Sequence, residues 1–372
     1  MKILEVVFSL SSGGGERVVI DLCNEFAARG HEVTLLTMLD IDNFPQLSFN
    51  RQFLTERVIL KKLGVRYPTP CAIYKISNFL KVDEPDVVHM HLNVLPYFFP
   101  SILFGSRKIK YYHTLHSVAP AACGYKGQRP VNRWFYKTGR ITPVTISKLC
   151  NHSFQEFYHL PPAAMIENGR SKPIPTEKEP SVRKEIEKMK QHPDDKVFIQ
   201  VGTIGNVKNQ KLSVEVFRAM HQKGVHAILL LVGKDNPSEP EYGCKARKNC
   251  PSNCFFLGES NHVVDYLVNS DYFLMPSQYE GLPISLLEAM ACGCIPVCTA
   301  VGGIPDVITD GKNGYLSPEP EYNILLNLLE KIIFNDGKIK RDDIIKYYVE
   351  NYDSSIFAGK YLDLFQLKQA LF

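Results

Sequence analysis

The stretch Pro276-Ser277-Gln278-Tyr279-Glu280-Gly281-Leu282-Pro283-Ile284-Ser285-Leu286-Leu287-Glu288-Ala289-Met290-Ala291 carries the change of rhythm that decides the fold. Before it, Asp271 to Met275 is an apolar run of strand length. From Pro283, which suits a first helical turn, the spacing becomes helical. Ile284, Leu286, Leu287, Ala289, Met290 and Ala291 make this helix mostly apolar, so it reads as buried and Glu288 is an odd residue to place in it. A carboxylate taken out of water needs partners, because burying it alone is costly. Two vicinal ribose hydroxyls would suit it, and so would a salt bridge within the lobe. Glu280, closing the loop after the strand, reads as a hydroxyl ligand or as a favourable charge at the helix start.

The same strand–loop–helix unit recurs on both sides. Ile3 to Leu10, Val33 to Leu36, Asp86 to His89, Ile109 to Tyr112 and Thr142 to Ile146 are strand candidates in the first half. Val197 to Val201, Ala227 to Val232, Cys254 to Leu257 and Ile295 to Cys298 follow in the second, with Gln210 to His221 as a helix. Near-continuous apolar strands separated by helices predict parallel sheets covered on both faces. A Pro-, Lys- and Glu-rich stretch, Arg170 to Pro180, reads as a linker, after which the alternation restarts. The expectation is an α/β chain of two doubly wound, Rossmann-like lobes: residues 1–170, residues 171–353, and a last helix, 354–372, returning to the first lobe. Ligands of such sheets bind outside the carboxyl ends of the strands, so the loops there are the places to inspect.

Composition agrees with an ordinary globular chain: 372 residues, 45% hydrophobic and 22% charged. The longest apolar candidate, Leu95 to Phe104, is broken by Pro96 and Pro100 and falls short of the roughly 20 residues a membrane span needs. Glu5 splits the apolar start, so Ile3 to Leu10 reads as a core strand rather than a signal peptide. The net charge of +4 is too small to imply nucleic acid. It is unevenly placed: residues 1–170 carry 20 basic against 13 acidic groups, which suits an anionic partner there. The ten cysteines are too sparse for a disulfide scaffold, and several lie in apolar segments as buried thiols of a reducing compartment. Cys244, Cys250 and Cys254 match no common zinc spacing.

Several loops at strand ends carry candidate chemistry. Gly13-Gly14-Gly15 joins the first strand to the first helix; without Cβ atoms it lets backbone N–H groups approach a phosphate or a sugar, although a tight turn needs glycine equally. His113 and His116 follow the strand Ile109 to Tyr112, where an imidazole can hydrogen-bond a sugar hydroxyl. His89 and His91 raise the same question, and without a carboxylate beside them they do not make a metal site. Gly202-Thr203-Ile204-Gly205-Asn206-Val207-Lys208 places a lysine where it could meet a diphosphate. Lys126, Arg129, Arg133 and Trp134 mix cations with an aromatic in the basic half; they read as a membrane or acceptor face, or as a solvated helix face.

The segment from Pro276 to Ala291 resembles the signature of retaining glycosyltransferases of the GT-B fold, glycosyltransferase family four. A strand ending in Pro-Ser is followed by Glu-Gly-x-Pro and, after seven intervening residues, a second Glu: here Glu280 and Glu288. Phe255 to Gly258, Gly302 to Asp306 and Asn313 to Leu316 extend the likeness, as do Asp86 to His89, Thr114 to His116 and Thr145 to Ser147. The resemblance implies two lobes with a cleft between them and a nucleotide-diphosphate sugar, UDP- or GDP-linked, as donor. It implies that Glu288 holds the ribose. Glu280 would contact the sugar, with Gly281, Leu282 and Pro283 beside it. Lys208 would neutralise the diphosphate next to Gly202 and Thr203, Gly14 and Gly15 would approach the phosphates, and His116 would face the sugar. The family usually has Arg where this chain has Thr203, so one cation is missing; Arg170 is a candidate substitute.

The implied activity is transfer to a glycan or lipid-linked sugar acceptor in bacterial surface polysaccharide synthesis. The expected location is the cytoplasm, with peripheral contact on an anionic membrane. Asp40-Ile41-Asp42, the lone Asp-x-Asp, lies away from the donor motifs and reads as a solvated loop, so no metal or other cofactor is expected. An epimerase of the same fold would need acid/base groups at a sugar carbon and no acceptor; a non-catalytic nucleotide-sugar binder would make Glu280, Glu288, Lys208 and His116 superfluous together.

Overall fold

The computed structural model describes residues 1–11, 13–124, 127–334 and 338–367. The chain divides into two compact units, one of Met1–Ser171 with the chain from Asp353 onward, the other Lys172–Tyr352. In the first unit seven strands form one sheet: β1 (Lys2–Val7), β2 (Glu32–Thr37), β3 (Ile59–Lys62), β4 (Val87–His91), β5 (Lys110–Leu115), β6 (Thr142–Thr145) and β7 (Ala164–Met165). Their spatial order is β3-β2-β1-β4-β5-β6-β7, with every pairing parallel. The second unit holds β8 (Lys196–Val201), β9 (Ala227–Val232), β10 (Cys254–Gly258), β11 (Tyr272–Met275), β12 (Ile295–Thr299) and β13 (Tyr315–Ser317), ordered β10-β9-β8-β11-β12-β13 and again parallel. Both sheets reverse direction of winding next to their first strand, the doubly wound pattern expected from the alternation of apolar runs and helices.

The apolar runs place the strands; their ends differ by a few residues. β1 stops at Val7 rather than Leu10, since Phe8 to Leu10 turn away from the sheet and Leu10 exchanges backbone hydrogen bonds with Leu47 and Asn50. β5 runs on to Leu115 and β4 to His91, so His89, His91 and His113 lie inside strands rather than after them. Polar side chains extend these strands because their partners lie elsewhere in the chain, Glu5 of β1 for His89 and His91 and Tyr136 for His113, which an apolar-run reading does not register. The core of the first unit packs Leu4, Val6, Val88, Met90 and Leu115 of the sheet against Phe98, Phe135, Phe154 and Tyr158.

The helix Ser354–Gln366 completes the first unit. It buries Phe357, Tyr361 and Phe365. The Phe365 ring lies 4.7 Å from that of Tyr112 and 5.9 Å from that of Phe26, centre to centre. Lys110 Nζ donates to the Phe365 carbonyl at 2.7 Å, and Tyr112 donates to the Leu364 carbonyl at 3.2 Å.

The stretch expected to be a linker is anchored at several points. Arg170 donates to Asp21 at 2.6 Å, with side chains 4% and 2% exposed, and Ser171 Oγ donates to the same carboxylate at 3.0 Å. Thr176 donates through its N–H to Asp265 at 2.7 Å, and a helix starts at Glu179. Arg170 is therefore engaged with a buried acid in its own unit. Without Arg170 the buried Asp21 keeps only Ser171 and the more distant Arg17, whose Nε lies 3.8 Å away. Arg170→Met is expected to cost up to about 3–5 kcal/mol in urea unfolding; a loss under about 1 kcal/mol would show that Arg17 and Ser171 suffice to hold Asp21.

Candidate functional site

In the second unit, β8 ends at Val201 and the chain loops through Gly202 to Asn209 before the helix Gln210–Gln222. Gln200, buried near the end of β8, donates to the Lys208 carbonyl at 2.6 Å and accepts from Ser213 at 2.7 Å, which folds the loop back on its own strand. The Lys208 stem lies over Gly202, where a Cβ would meet its Cε at 3.2 Å. Lys208 Nζ then reaches Glu280 Oε1 at 2.7 Å, joining residues 72 positions apart. The Glu280 side chain is 9% exposed and that of Lys208 23%, so the pair sits at a partly dry edge of the unit.

The loop carrying Glu280 is braced on three sides. Gln278 donates its N–H to the Val207 carbonyl at 2.8 Å, and Gly303 donates to the Gly281 carbonyl at 2.7 Å. Thr299 Oγ1 donates to the Ser277 carbonyl at 2.5 Å. Gly302 is required here: its φ is +63°, and a Cβ would fall 1.8 Å from the Glu280 carbonyl oxygen. Leu282 and Pro283 are buried; Pro283 takes the extended N-cap conformation, so the helix begins at Ile284 and runs to Ala291. Glu288 is half-buried among the buried Leu286, Leu287, Ala289, Met290 and Ala291 of that helix, and Thr203 is exposed. The structure thus joins Gly202, Lys208, Glu280 and Gly281 through direct contacts.

In the first unit the helix Gly14–Ala28 starts at Gly14, one turn earlier than its apolar face shows, because glycines carry no periodic signal. Gly14 and Gly15 are its first residues, where N–H groups lack intrahelical acceptors. The Glu16 side chain folds back over Gly13 and accepts from Ser11 at 2.7 Å, placing a negative charge at that helix start.

His116, partly buried, follows β5 and closes a row of polar side chains, otherwise buried, that the sequence reading missed. Parallel pairing sets Glu5 of β1 opposite His89 of β4. His89 Nδ1 lies 3.1 Å from Glu5 Oε1, and His91 Nε2 lies 2.6 Å from Oε2. His91 Nδ1 lies 3.0 Å from His116 Nε2, and His89 Nε2 lies 2.8 Å from Thr114 Oγ1, itself 2.9 Å from the Tyr361 hydroxyl. A carboxylate does accompany the two histidines, contrary to expectation. The signal was Glu5 itself, a charged residue in the middle of a core strand, which must find partners. Glu5, His89 and His91 have ligand atoms within 4.8 Å of one another, a metal-compatible spacing, yet each of those nitrogens and oxygens already has a hydrogen-bond partner.

Burial would raise the Glu5 carboxyl, but attraction to His89 and the bonds from both rings outweigh it and hold Glu5 at about 2. Burial pushes His91 and His113 down to about 4 and His116 well below the ordinary imidazole range.

The other candidates fall elsewhere. Lys126 lies outside the described residues. Arg129 donates to the Phe157 carbonyl at 2.8 Å and Arg133 to the Tyr158 carbonyl at 2.7 Å. These two arginines therefore satisfy the end of the helix Lys148–Tyr158. Trp134 stays 45% exposed. Asp40 accepts from the Asp42 N–H and from Asn43, while Asp42 pairs with Arg51 and Lys62, so the Asp-x-Asp serves its own loop. Among the described residues Cys244, Cys250 and Cys254 do not converge as a metal site; Cys250 donates to the Cys254 carbonyl. Among the described residues no helix is long and apolar enough to cross a membrane.

Residues 181–350 match the family Glycosyl transferases group 1, and residues 12–170 match Glycosyltransferase Family 4. The chain belongs to glycosyltransferase family four. It is 36% identical over 127 residues to the N-acetyl-alpha-D-glucosaminyl L-malate synthase of Bacillus anthracis, a match covering 33% of the chain and 32% of that enzyme. The chain is therefore matched to about a third of that relative's length. It is 25% identical over 323 residues to the lipopolysaccharide glucosyltransferase WaaG of Escherichia coli K12, covering 83% of the chain and 82% of WaaG. Among solved structures, Anabaena Alr3699/HepE in complex with UDP superposes with a TM-score of 0.77 at 17% identity, covering 98% and 99% of the two chains. That likeness shows the GT-B fold.

The histidine cluster predicts a pH response. His91, His113 and His116 stay neutral in the folded chain below the pH at which unfolded histidine, near about 6.5, takes up a proton. The unfolded state then binds more protons, so stability falls on acidification. The thermal midpoint of the first unit is expected to drop between about pH 6.5 and pH 4.5, before most carboxylates titrate. A midpoint that stays flat across that window would contradict buried neutral rings.

Proposed function

We propose that this family-four chain is a retaining, metal-independent glycosyltransferase that moves a hexose from a UDP- or GDP-linked sugar to a glycan or lipid-linked acceptor. The observation that carries the reading is the Lys208–Glu280 pair, a lone ammonium and a nearly dry carboxylate 2.7 Å apart at adjacent strand ends. Breaking the sugar–diphosphate bond sends the electron pair to the departing diphosphate and leaves an oxocarbenium-like sugar. Lys208 would turn from Glu280 to the diphosphate oxygens, with backbone N–H groups beside it, and so stabilise the leaving anion without a divalent ion. Glu280, released from the lysine, would accept hydroxyls of the transferred sugar. In the same reading Glu288 holds the ribose and His116 meets the sugar. Gly14 and Gly15 approach the phosphates, provided the Glu16 carboxylate swings clear.

Relatives support the substrate class. WaaG is named a lipopolysaccharide glucosyltransferase, and HepE has been solved with UDP and with UDP-glucose. We place the acceptor side, and any peripheral contact with an anionic membrane on the cytoplasmic face, near Trp134; Arg129 and Arg133 are already bound to carbonyls and would act there chiefly by charge.

Uridine- and guanosine-diphosphate sugars are to be screened by thermal shift in the presence of EDTA. A true donor at about 100 times its Kd should stabilise the chain by about 2.7 kcal/mol. Glu288→Ala is expected to remove most of that shift, and retention of it would refute the ribose assignment. Lys208→Ala is expected to lower turnover by roughly 100-fold or more, as loss of one preorganised stabilising group does. Donor consumption that occurs without an acceptor and yields an altered sugar nucleotide would identify an epimerase instead.

A further inference from the structure

The row from Tyr361 to His116 contains the Glu5 carboxylate, and that charge dictates where the protons between it and His116 sit. An ionised carboxylate can only accept, so both rings that touch it must donate: His89 through Nδ1–H and His91 through Nε2–H. A neutral His91 with its proton on Nε2 has a bare Nδ1, which must accept from its neighbour, so His116 carries its proton on Nε2. On the other side His89 Nε2 lies 2.8 Å from Thr114 Oγ1, itself 2.9 Å from the Tyr361 hydroxyl. His113 stands outside the row, bonded to Tyr136 and to the Leu92 carbonyl.

We propose that Glu5 is a positioning residue that sets the tautomer of His116 through His91, leaving His116 Nδ1 as a bare acceptor. A second observation agrees: Nδ1 is the one ring nitrogen of the row that is buried without a protein partner. The residue near it is Gly15, where a Cβ would come 3.8 Å from Nδ1 and 3.4 Å from Leu92 Cδ2, so no polar side chain is placed on this side of the lone pair. His116 would then accept a hydroxyl proton rather than offer its own. A ligand group that is itself only an acceptor, such as a phosphate oxygen, is disfavoured at this nitrogen. The consequence for donor recognition rests on the proposed glycosyltransferase reading; the tautomer does not.

The test is nuclear magnetic resonance of the full chain with 15N-labelled histidine at neutral pH, reading long-range proton–nitrogen couplings, with His116 assigned by its loss in His116→Gln. The expected pattern is a single tautomer, Nε2–H with bare Nδ1, at both His91 and His116. A proton on Nδ1 of His116, or on both its nitrogens, overturns the proposal. So does stoichiometric zinc in the purified protein, because a metal would take the lone pairs assigned here to hydrogen bonds. In Glu5→Met the acceptor is gone, and His116 is expected to show both tautomers; one unchanged Nε2–H signal would remove Glu5 from the role. Tyr361→Phe, beyond Glu5 in the row, is expected to leave the His116 pattern intact, and a changed pattern would contradict the assignment. If Glu5→Met does not fold, the wild-type spectrum still decides. Donor turnover by His116→Gln is scored separately: full activity would refute the sugar contact while the tautomer result stands.

Discussion

Parallel strands must be joined by crossovers, and covering both faces of a sheet with those crossovers leaves the strand ends as the places where polar side chains can meet a ligand. Both units obey this constraint. Lys208 and Glu280 lie beyond the ends of β8 and β11, which are neighbours in the second sheet. Gly14, Gly15 and His116 lie beyond the ends of β1 and β5 in the first. The candidate ligand groups of each unit thus gather beyond the carboxyl ends of its strands.

The first unit also keeps charge inside its core, at a cost that its geometry offsets. A lone buried carboxylate would be expelled or protonated; Glu5 instead has two imidazoles, and Asp21 has Arg170 and Ser171. Neither arrangement is needed to fill space, since apolar residues of similar size would do so. Buried polar rows of this kind have few alternative packings, because every member must find its own partner at once.

What was legible in the sequence follows from range. The alternation of strands and helices is local, so the doubly wound units and the loops after β8 and β11 could be read directly, and the spacing of Glu280 and Glu288 pointed to the family. The Glu5 row was not legible: its members are 84 and 86 residues apart, and only strand pairing brings them together. Strand ends slipped for the same reason, since His91 and His113 look like loop residues until their distant partners, Glu5 and Tyr136, are known. Arg170 looked like a spare cation in a linker, and nothing near it in the chain announces Asp21, 149 positions earlier.

The placement of the helix Ser354–Gln366 has a consequence for biosynthesis. A ribosome releases all of Lys172–Tyr352 before it releases Tyr361 and Phe365, which the first unit needs to cover Phe26, Tyr112 and the Thr114 end of the polar row. Throughout elongation the nascent amino-terminal half therefore carries an unfinished apolar seam. Such transient surfaces are where chaperones bind and where aggregation begins. A ribosome that stops between Tyr352 and Tyr361 would release a chain whose second unit is whole and whose first cannot close.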